Sequence, residues 1–206
     1  MKKQLLTALI LCIGISFVAC KSDKKQTMKS EIVVKKAPFV LQDANNNIEF
    51  TAYKTTEKIG VKGTFKKVTI TKGGEGNTAK EAIQNTEFSI PVSSLFTKDS
   101  SRDYKIKKFF FGVMENTQLL SGKFFLENDS IGYALLTMNA NTQKLPFKYT
   151  LKGKQFTLSG IMNIDDWNGQ KAVASINTAC KELHKGADGV SKTWSEVAIN
   201  VSSTFK

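Results

Sequence analysis

Apolar side chains recur at every second position along most of the chain beyond residue 45, and a period of two marks extended strands with one buried face. The runs are Ile48, Phe50 and Ala52; Ile59, Val61, Gly63 and Phe65; Phe88, Ile90 and Val92; and Leu120, Phe124 and Leu126. They continue with Ile131, Tyr133 and Leu135; Leu145, Phe147, Tyr149 and Leu151; Phe156, Leu158, Gly160, Met162 and Ile164; and Val197, Ile199, Val201 and Phe205. Together they predict about eight strands joined by short polar or glycine-bearing connections. Strands in that number must hide their edges, and rolling the sheet into an antiparallel barrel removes the edges altogether.

Helical spacing shows in two places. In SRDYKIKKFFFGVMEN, the residues Ile106, Phe109, Phe110, Val113 and Met114 line one stripe, and in GQKAVASINTACKELHKG so do Ala172, Ile176, Ala179 and Leu183, with Gly186 as the stop. A shorter helical turn is predicted in NTAKEAIQN, capped by Asn77 or Thr78. The class is thus all-β with two short helices.

A barrel of this size has an interior that side chains fill or that one elongated ligand occupies. Gly63 and Gly160 stand in mid-strand, where glycine marks a bend or leaves room for something to approach. A solid core whose glycines merely permit curvature fits the same pattern.

The N-terminus has a different character. Lys2 and Lys3 precede an apolar stretch from Leu5 to Val18, too short to span a bilayer comfortably, and Val18-Ala19 lead directly into Cys20. The stretch reads as an export signal, and its end resembles the lipobox of bacterial lipoproteins. That resemblance implies cleavage before Cys20, a lipidated Cys20 thiol and an acylated new N-terminus, an anchor that becomes stable with two or more acyl chains. The expected divisions are a signal peptide over 1–19, acylated Cys20 and a lysine-rich linker over 20–40, and one domain over 41–206. Lys21 after the cysteine resembles outer-membrane sorting, so the expected location is the cell envelope, on the outer membrane facing the periplasm. A plain signal peptide with an incidental Cys20 is the alternative.

Of the three cysteines, Cys12 leaves with the signal and Cys20 is lipidated, so the domain keeps only Cys180 and has no disulfide. Its stability then rests on a hydrophobic core. The formal net charge is +12, and the first nineteen residues carry Lys2 and Lys3 without an acid, so their removal lowers it by two, to +10. Such a balance attracts anionic lipid surfaces or polyanions. No nucleic-acid partner is expected, and the oligomeric state is left open, a dimer included.

The stretches VKGTFKKVTI (61–70), SIPVSSLFTKDSSRD (89–103), KIKKFFFGVM (105–114) and LLTMNANTQKLPF (135–147) occur in an order that resembles the YceI-like family of envelope lipid-binding proteins, in its Bacteroidetes-type lipoprotein form. The resemblance implies an extended lipocalin-like barrel with a long apolar pore that holds a polyisoprenoid or a fatty-acyl amphiphile for storage or transfer. In that reading Phe50, Phe65, Phe88, Phe110, Phe124, Phe147, Phe156 and Met162 line the pore, and basic residues at its rim meet a phosphate or carboxylate head. Arg102 would be a structural anchor near the mouth. The chain departs from many relatives in reading AYKTTEKIGVKG, without a histidine, around the second strand.

Catalytic chemistry finds little footing. The only histidine, His184, follows Cys180 by four residues and so shares its helical face, but two ligands do not close a metal site, and packing for Cys180 with an exposed His184 is the simpler reading. Asp165-Asp166 before Trp167-Asn168-Gly169 reads as a turn, and GGEG at 73–76 lacks the lysine and hydroxyl of a phosphate-binding loop and reads as a mobile hairpin. No enzyme, metal or cofactor is expected beyond a bound lipid or isoprenoid. The competing class is a non-enzymatic adhesion or assembly protein with a basic surface and a filled core.

Overall fold

The computed structural model describes residues 36–206. The predicted signal peptide, Cys20 and the linker as far as residue 35 lie outside the described residues. Twelve strands are found: β1 (Phe39–Val40), β2 (Asn45–Lys54), β3 (Ile59–Phe65), β4 (Thr69–Lys72), β5 (Glu75–Gly76), β6 (Glu87–Pro91), β7 (Leu95–Phe96), β8 (Leu119–Leu126), β9 (Ile131–Met138), β10 (Asn141–Lys152), β11 (Gln155–Asn163) and β12 (Thr193–Thr204). Three helices join them: α1 (Ala79–Ile83), α2 (Ser100–Phe109) and α3 (Gln170–Ala179).

Ten strands form one antiparallel sheet in the order β4-β6-β8-β9-β10-β11-β12-β2-β3-β7. The two ends of that order are covalently the same two runs. β3 continues through residues 66–68 into β4, and β6 continues through a 3-10 turn at Val92–Ser94 into β7. These bent runs pair with each other, Phe65 opposite Leu95 and Ile70 opposite Phe88, with Lys66 N donating to Ser94 O between them at 3.0 Å. Counted as continuous runs there are eight strands, each paired on both sides, so the ladder closes into an up-and-down barrel and no long edge is left free.

The far end of the barrel is plugged. β1 and β5 form a small separate ladder, Leu41 N donates to Gly74 O at 2.7 Å, and Phe39 meets Phe205 edge-on at 5.3 Å. The folded unit therefore takes in Phe39 and Val40, ahead of residue 41. GGEG is likewise part of this plug and not a free hairpin: Gly73 and Gly74 turn the chain at φ +70° and +85°, and Glu75-Gly76 pair with β1. Thr78 caps α1, its hydroxyl accepting from Glu81 N at 3.1 Å, and α1 buries Ala79, Ala82 and Ile83 beside the plug.

α2 and α3 lie at the opposite end. The predicted stripes run past the true helix ends. α2 stops at Phe109, and the chain tightens to a 3-10 turn at Phe111–Val113, which buries Phe111 and leaves Val113 exposed. α3 stops at Ala179, which is exposed, and Cys180 starts another 3-10 turn, Lys181–His184, that turns Leu183 outward.

One strand presents the face opposite to the predicted one. In β9 the buried positions are Gly132, Ala134, Leu136 and Met138, while Ile131 and Leu135 are exposed and Tyr133 stacks on Phe125 outside, ring centroids 4.9 Å apart. Both faces of IGYALLTM are apolar, so alternation alone cannot tell inside from outside. The small residues are inside because Phe147 of β10, directly opposite Gly132, already occupies the space.

Candidate ligand-binding site

The inward faces of the barrel do not meet in the middle. They enclose a cavity of about 360 Å³, within the usual size range of small-molecule sites. Along β2, alternate residues Asn46, Ile48, Phe50, Ala52 and Lys54 all line it. From Asn46 to Lys54 is about 26 Å of strand at about 3.3 Å per residue, so the cavity follows the barrel for nearly its whole length.

All eight residues predicted for a pore stand in its wall: Phe50, Phe65, Phe88, Phe110, Phe124, Phe147, Phe156 and Met162. The aromatic rings fall into two contact chains. Near the mouth, Phe50 touches Phe65, Phe65 touches Phe111 and Phe111 touches Phe110, at 5.7, 6.4 and 4.9 Å between centroids. Towards the plug, Phe88, Phe124, Phe147, Tyr149 and Phe156 follow one another at 4.7 to 6.3 Å. Tilted and edge-on contacts of this kind fix ring orientation, so the wall is preformed.

The mid-strand glycines do not open space for a ligand, because rings already cover them. A methyl on Gly63 would sit 2.3 Å from the Phe50 ring, on Gly122 2.7 Å from Phe88, and on Gly132 2.8 Å from Phe147. In each pair the glycine and phenylalanine are cross-strand partners. A methyl on Gly160 would sit 2.8 Å from the carbonyl oxygen of Pro146, and this residue is absent from the cavity wall.

The mouth carries most of the charge in the wall. Lys54 ends β2, while Ser101, Arg102 and Lys105 lie on α2 beside Asp99, with Cys180, Leu183, His184 and Trp194 completing the rim. Asp99 caps α2, its carboxylate accepting from Arg102 N at 3.0 Å, and Asp103 anchors the helix by accepting from Thr97 N and Thr97 Oγ1 at 2.8 and 2.7 Å. Lys54 Nζ donates to Leu183 O at 2.8 Å, tying β2 to the turn after α3.

Cys180 and His184 do both face this site, and His184 is half-buried, contrary to the expectation of an exposed ring. Thr193 Oγ1 donates to Asn177 Oδ1 at 3.0 Å and lies 2.7 Å from His184 Nδ1, which places the imidazole proton on Nδ1. Burial, then the ammonium groups of Lys54 and Lys105, hold the His184 pKa below the ordinary imidazole value. Burial pushes the Cys180 thiol up, and Lys105 and Lys54 pull it part of the way back. A raised pKa suits an inert thiol. Among the described residues, no group of three or more histidine, cysteine, aspartate or glutamate side chains has metal-holding geometry. Asp165 is used within the fold, accepting from Ser195 Oγ at 3.0 Å.

Sequence reading did not find Lys54 and Lys105, because a lysine at the end of a strand or in a lysine-rich helix looks like any solvated cation. It also missed Ala134, Leu136 and Met138, whose strand face was inverted.

The chain resembles in fold a polyisoprenoid binding domain from Saccharophagus degradans implicated in plant cell wall breakdown, at 9% identity over 82% of this chain and 99% of that one, with a TM-score of 0.57. Burkholderia cenocepacia BcnA aligns at 14% identity over 78% of this chain and 96% of that one, with a TM-score of 0.47. No curated protein matches the chain. The model of the YceI-like domain matches residues 39–205, nearly the whole described barrel, and the chain belongs to the YceI-like family.

Proposed function

We propose that this protein binds one long apolar chain, a polyisoprenoid or a fatty-acyl amphiphile, inside its barrel and stores or transfers it at a membrane. The observation that carries this reading is the cavity itself: about 360 Å³, apolar along its length and charged only near one end. Roughly ten methylenes drawn from water into such a space contribute about 8 kcal/mol before association costs, so binding needs few polar contacts. Membership of the YceI-like family and the fold shared with a polyisoprenoid binding domain support it. The role is carriage and not catalysis, with no cofactor other than the lipid.

In the same proposal Cys20 is acylated and tethers the barrel to the outer membrane facing the periplasm, so the carrier works at the surface from which its ligand comes. A long-chain probe whose fluorescence rises in apolar surroundings tests the binding half. Saturable enhancement with one probe per chain is expected, and no enhancement at any concentration contradicts the reading. For the tether, Cys20→Ser should move the protein out of the membrane fraction; an unchanged distribution contradicts it.

A further inference from the structure

Exposed apolar side chains collect around the open end of the barrel. Ile59, Tyr104, Leu183 and Val190 are 50 to 57% exposed and come from four separate segments of the chain. Ile59 opens β3 opposite Lys54, which lines the cavity, and Tyr104 on α2 directly precedes Lys105, which also lines it. Leu183 belongs to the rim itself. Val190 closes a small hairpin by accepting from Gly186 N at 2.9 Å, and Lys192 just beyond accepts from Thr55 N and donates to His184 O at 2.9 and 3.1 Å. The β2–β3 turn and the 184–192 hairpin are thereby joined into one edge of the mouth.

Cations and amphipathic rings are interleaved with these side chains. Lys192 Nζ lies 3.6 Å from the centroid of the Trp194 ring, and Lys58 Nζ lies 5.0 and 5.1 Å from those of Trp194 and Tyr53. Lys108 Nζ donates to Tyr104 Oη at 2.9 Å. Lys108, Lys181 and Lys192 have no carboxylate within ion-pair reach among the described residues. Exposed apolar groups bordered in this way mark a docking surface, and tyrosine, tryptophan and lysine stems suit a boundary that is apolar on one side and wet on the other. A bilayer with anionic headgroups supplies the apolar depth and the counter-charge together.

We infer that the mouth end of the barrel docks on the surface of a bilayer containing anionic lipid, with Ile59, Tyr104 and Val190 entering the headgroup boundary and Lys108, Lys181 and Lys192 meeting its charge. The inference rests on the lipid-binding reading and adds the partner surface and the orientation. A long chain that left a bilayer for a mouth standing in water would expose its methylenes on the way, and contact between rim and bilayer removes that exposure. An anchored N-terminus alone does not set this orientation. The described chain starts at the plug, where Phe39 packs on Phe205, and residues 20–35, fully extended, reach about 55 Å, twice the length of the cavity. Such a length permits either end of the barrel to meet the bilayer, and the rim decides which.

The test attaches a polarity-sensitive nitrobenzoxadiazole label at one of two exposed apolar positions in the full chain carrying Cys180→Ala. One is Val190→Cys at the mouth, and the other is Leu151→Cys in the β10–β11 hairpin, beside the plug. The labelled chains are mixed with vesicles of phosphatidylcholine, alone or with about a third phosphatidylglycerol. The label at 190 should emit further to the blue on the anionic vesicles than on the neutral ones, and the label at 151 should keep its emission in water. Ile59→Ser with Tyr104→Ser should abolish the shift at 190, while long-chain probe binding in vesicle-free buffer stays within about twofold, because neither side chain lines the cavity. Lys108→Gln with Lys181→Gln should lower the shift on anionic vesicles to its level on neutral ones. An unshifted label at 190, equal shifts on the two kinds of vesicle, or a shift at 151 instead overturns the inference, and probe binding in buffer then leaves the lipid-binding reading standing. Failure of the chain to bind any long-chain probe in buffer overturns both.

Discussion

The ring of Phe50 lies on the backbone of Gly63, its partner across the β2–β3 ladder, so closely that a methyl group there would come within 2.3 Å of the ring and 2.9 Å of Thr97 Cγ2. Two further Phe-over-Gly pairs, Phe88 on Gly122 and Phe147 on Gly132, repeat the device around the barrel. A ring laid along the wall shields the bare backbone and leaves the axis of the barrel open. Gly63→Ala should therefore destabilise the fold by about 1–3 kcal/mol, more than the gain from a stiffer unfolded chain, and Phe50→Leu in the same chain should recover part of the loss. Denaturant midpoints of the single and double variants check this; strictly additive effects would contradict the contact.

Ala52 lines the cavity between Val61 and Val197, and an indole there would project into the open space near the mouth. Ala52→Trp should leave the denaturation midpoint nearly unchanged while weakening long-chain probe binding about tenfold or more. Undiminished loading of the folded variant would mean that the ligand sits elsewhere. Gly160→Phe is the wrong substitution for this purpose, because its side chain would first meet the Pro146 carbonyl and strain the sheet.

Much of this architecture was legible in the chain because most strands have one clearly apolar face. Phe50, Phe65, Phe88 and Met162 could be placed inward from alternation. β9 could not, because Ile131, Tyr133 and Leu135 compete with Ala134, Leu136 and Met138, and only Phe147 opposite Gly132 decides between them. The helix ends were missed for a local reason: i, i+4 spacing persists through Val113 and Leu183, although the backbone has already tightened into 3-10 turns. The mouth was illegible as a cluster, since Lys54 at the end of β2 and Arg102 on α2 come to line one cavity only in the finished fold.

The His184 imidazole is held below its ordinary pKa, so the unfolded chain binds the proton more readily than the folded one and stability rises with pH through that window. Lowering the pH from about 7.5 to about 5 should cost wild-type protein more stability than it costs His184→Gln. Equal pH slopes for the two would contradict the assignment of His184 as a neutral, half-buried ring.

Cys180 borders the same cavity and has a thiol whose pKa is raised by burial, so little thiolate is present near neutrality. Iodoacetamide should modify Cys180, followed on its own peptide, far more slowly than a free thiol, and loading a long-chain ligand should slow it further. A rate indifferent to loading would place the ligand away from the mouth.

The central claim is that the barrel carries one long apolar chain, and native mass spectrometry of the protein purified from cells that make it addresses this most directly. The account predicts a single added mass per chain that is released by organic solvent and identified as a long-chain amphiphile. A bare protein mass, together with failure of the purified chain to take up any long-chain probe, would contradict it.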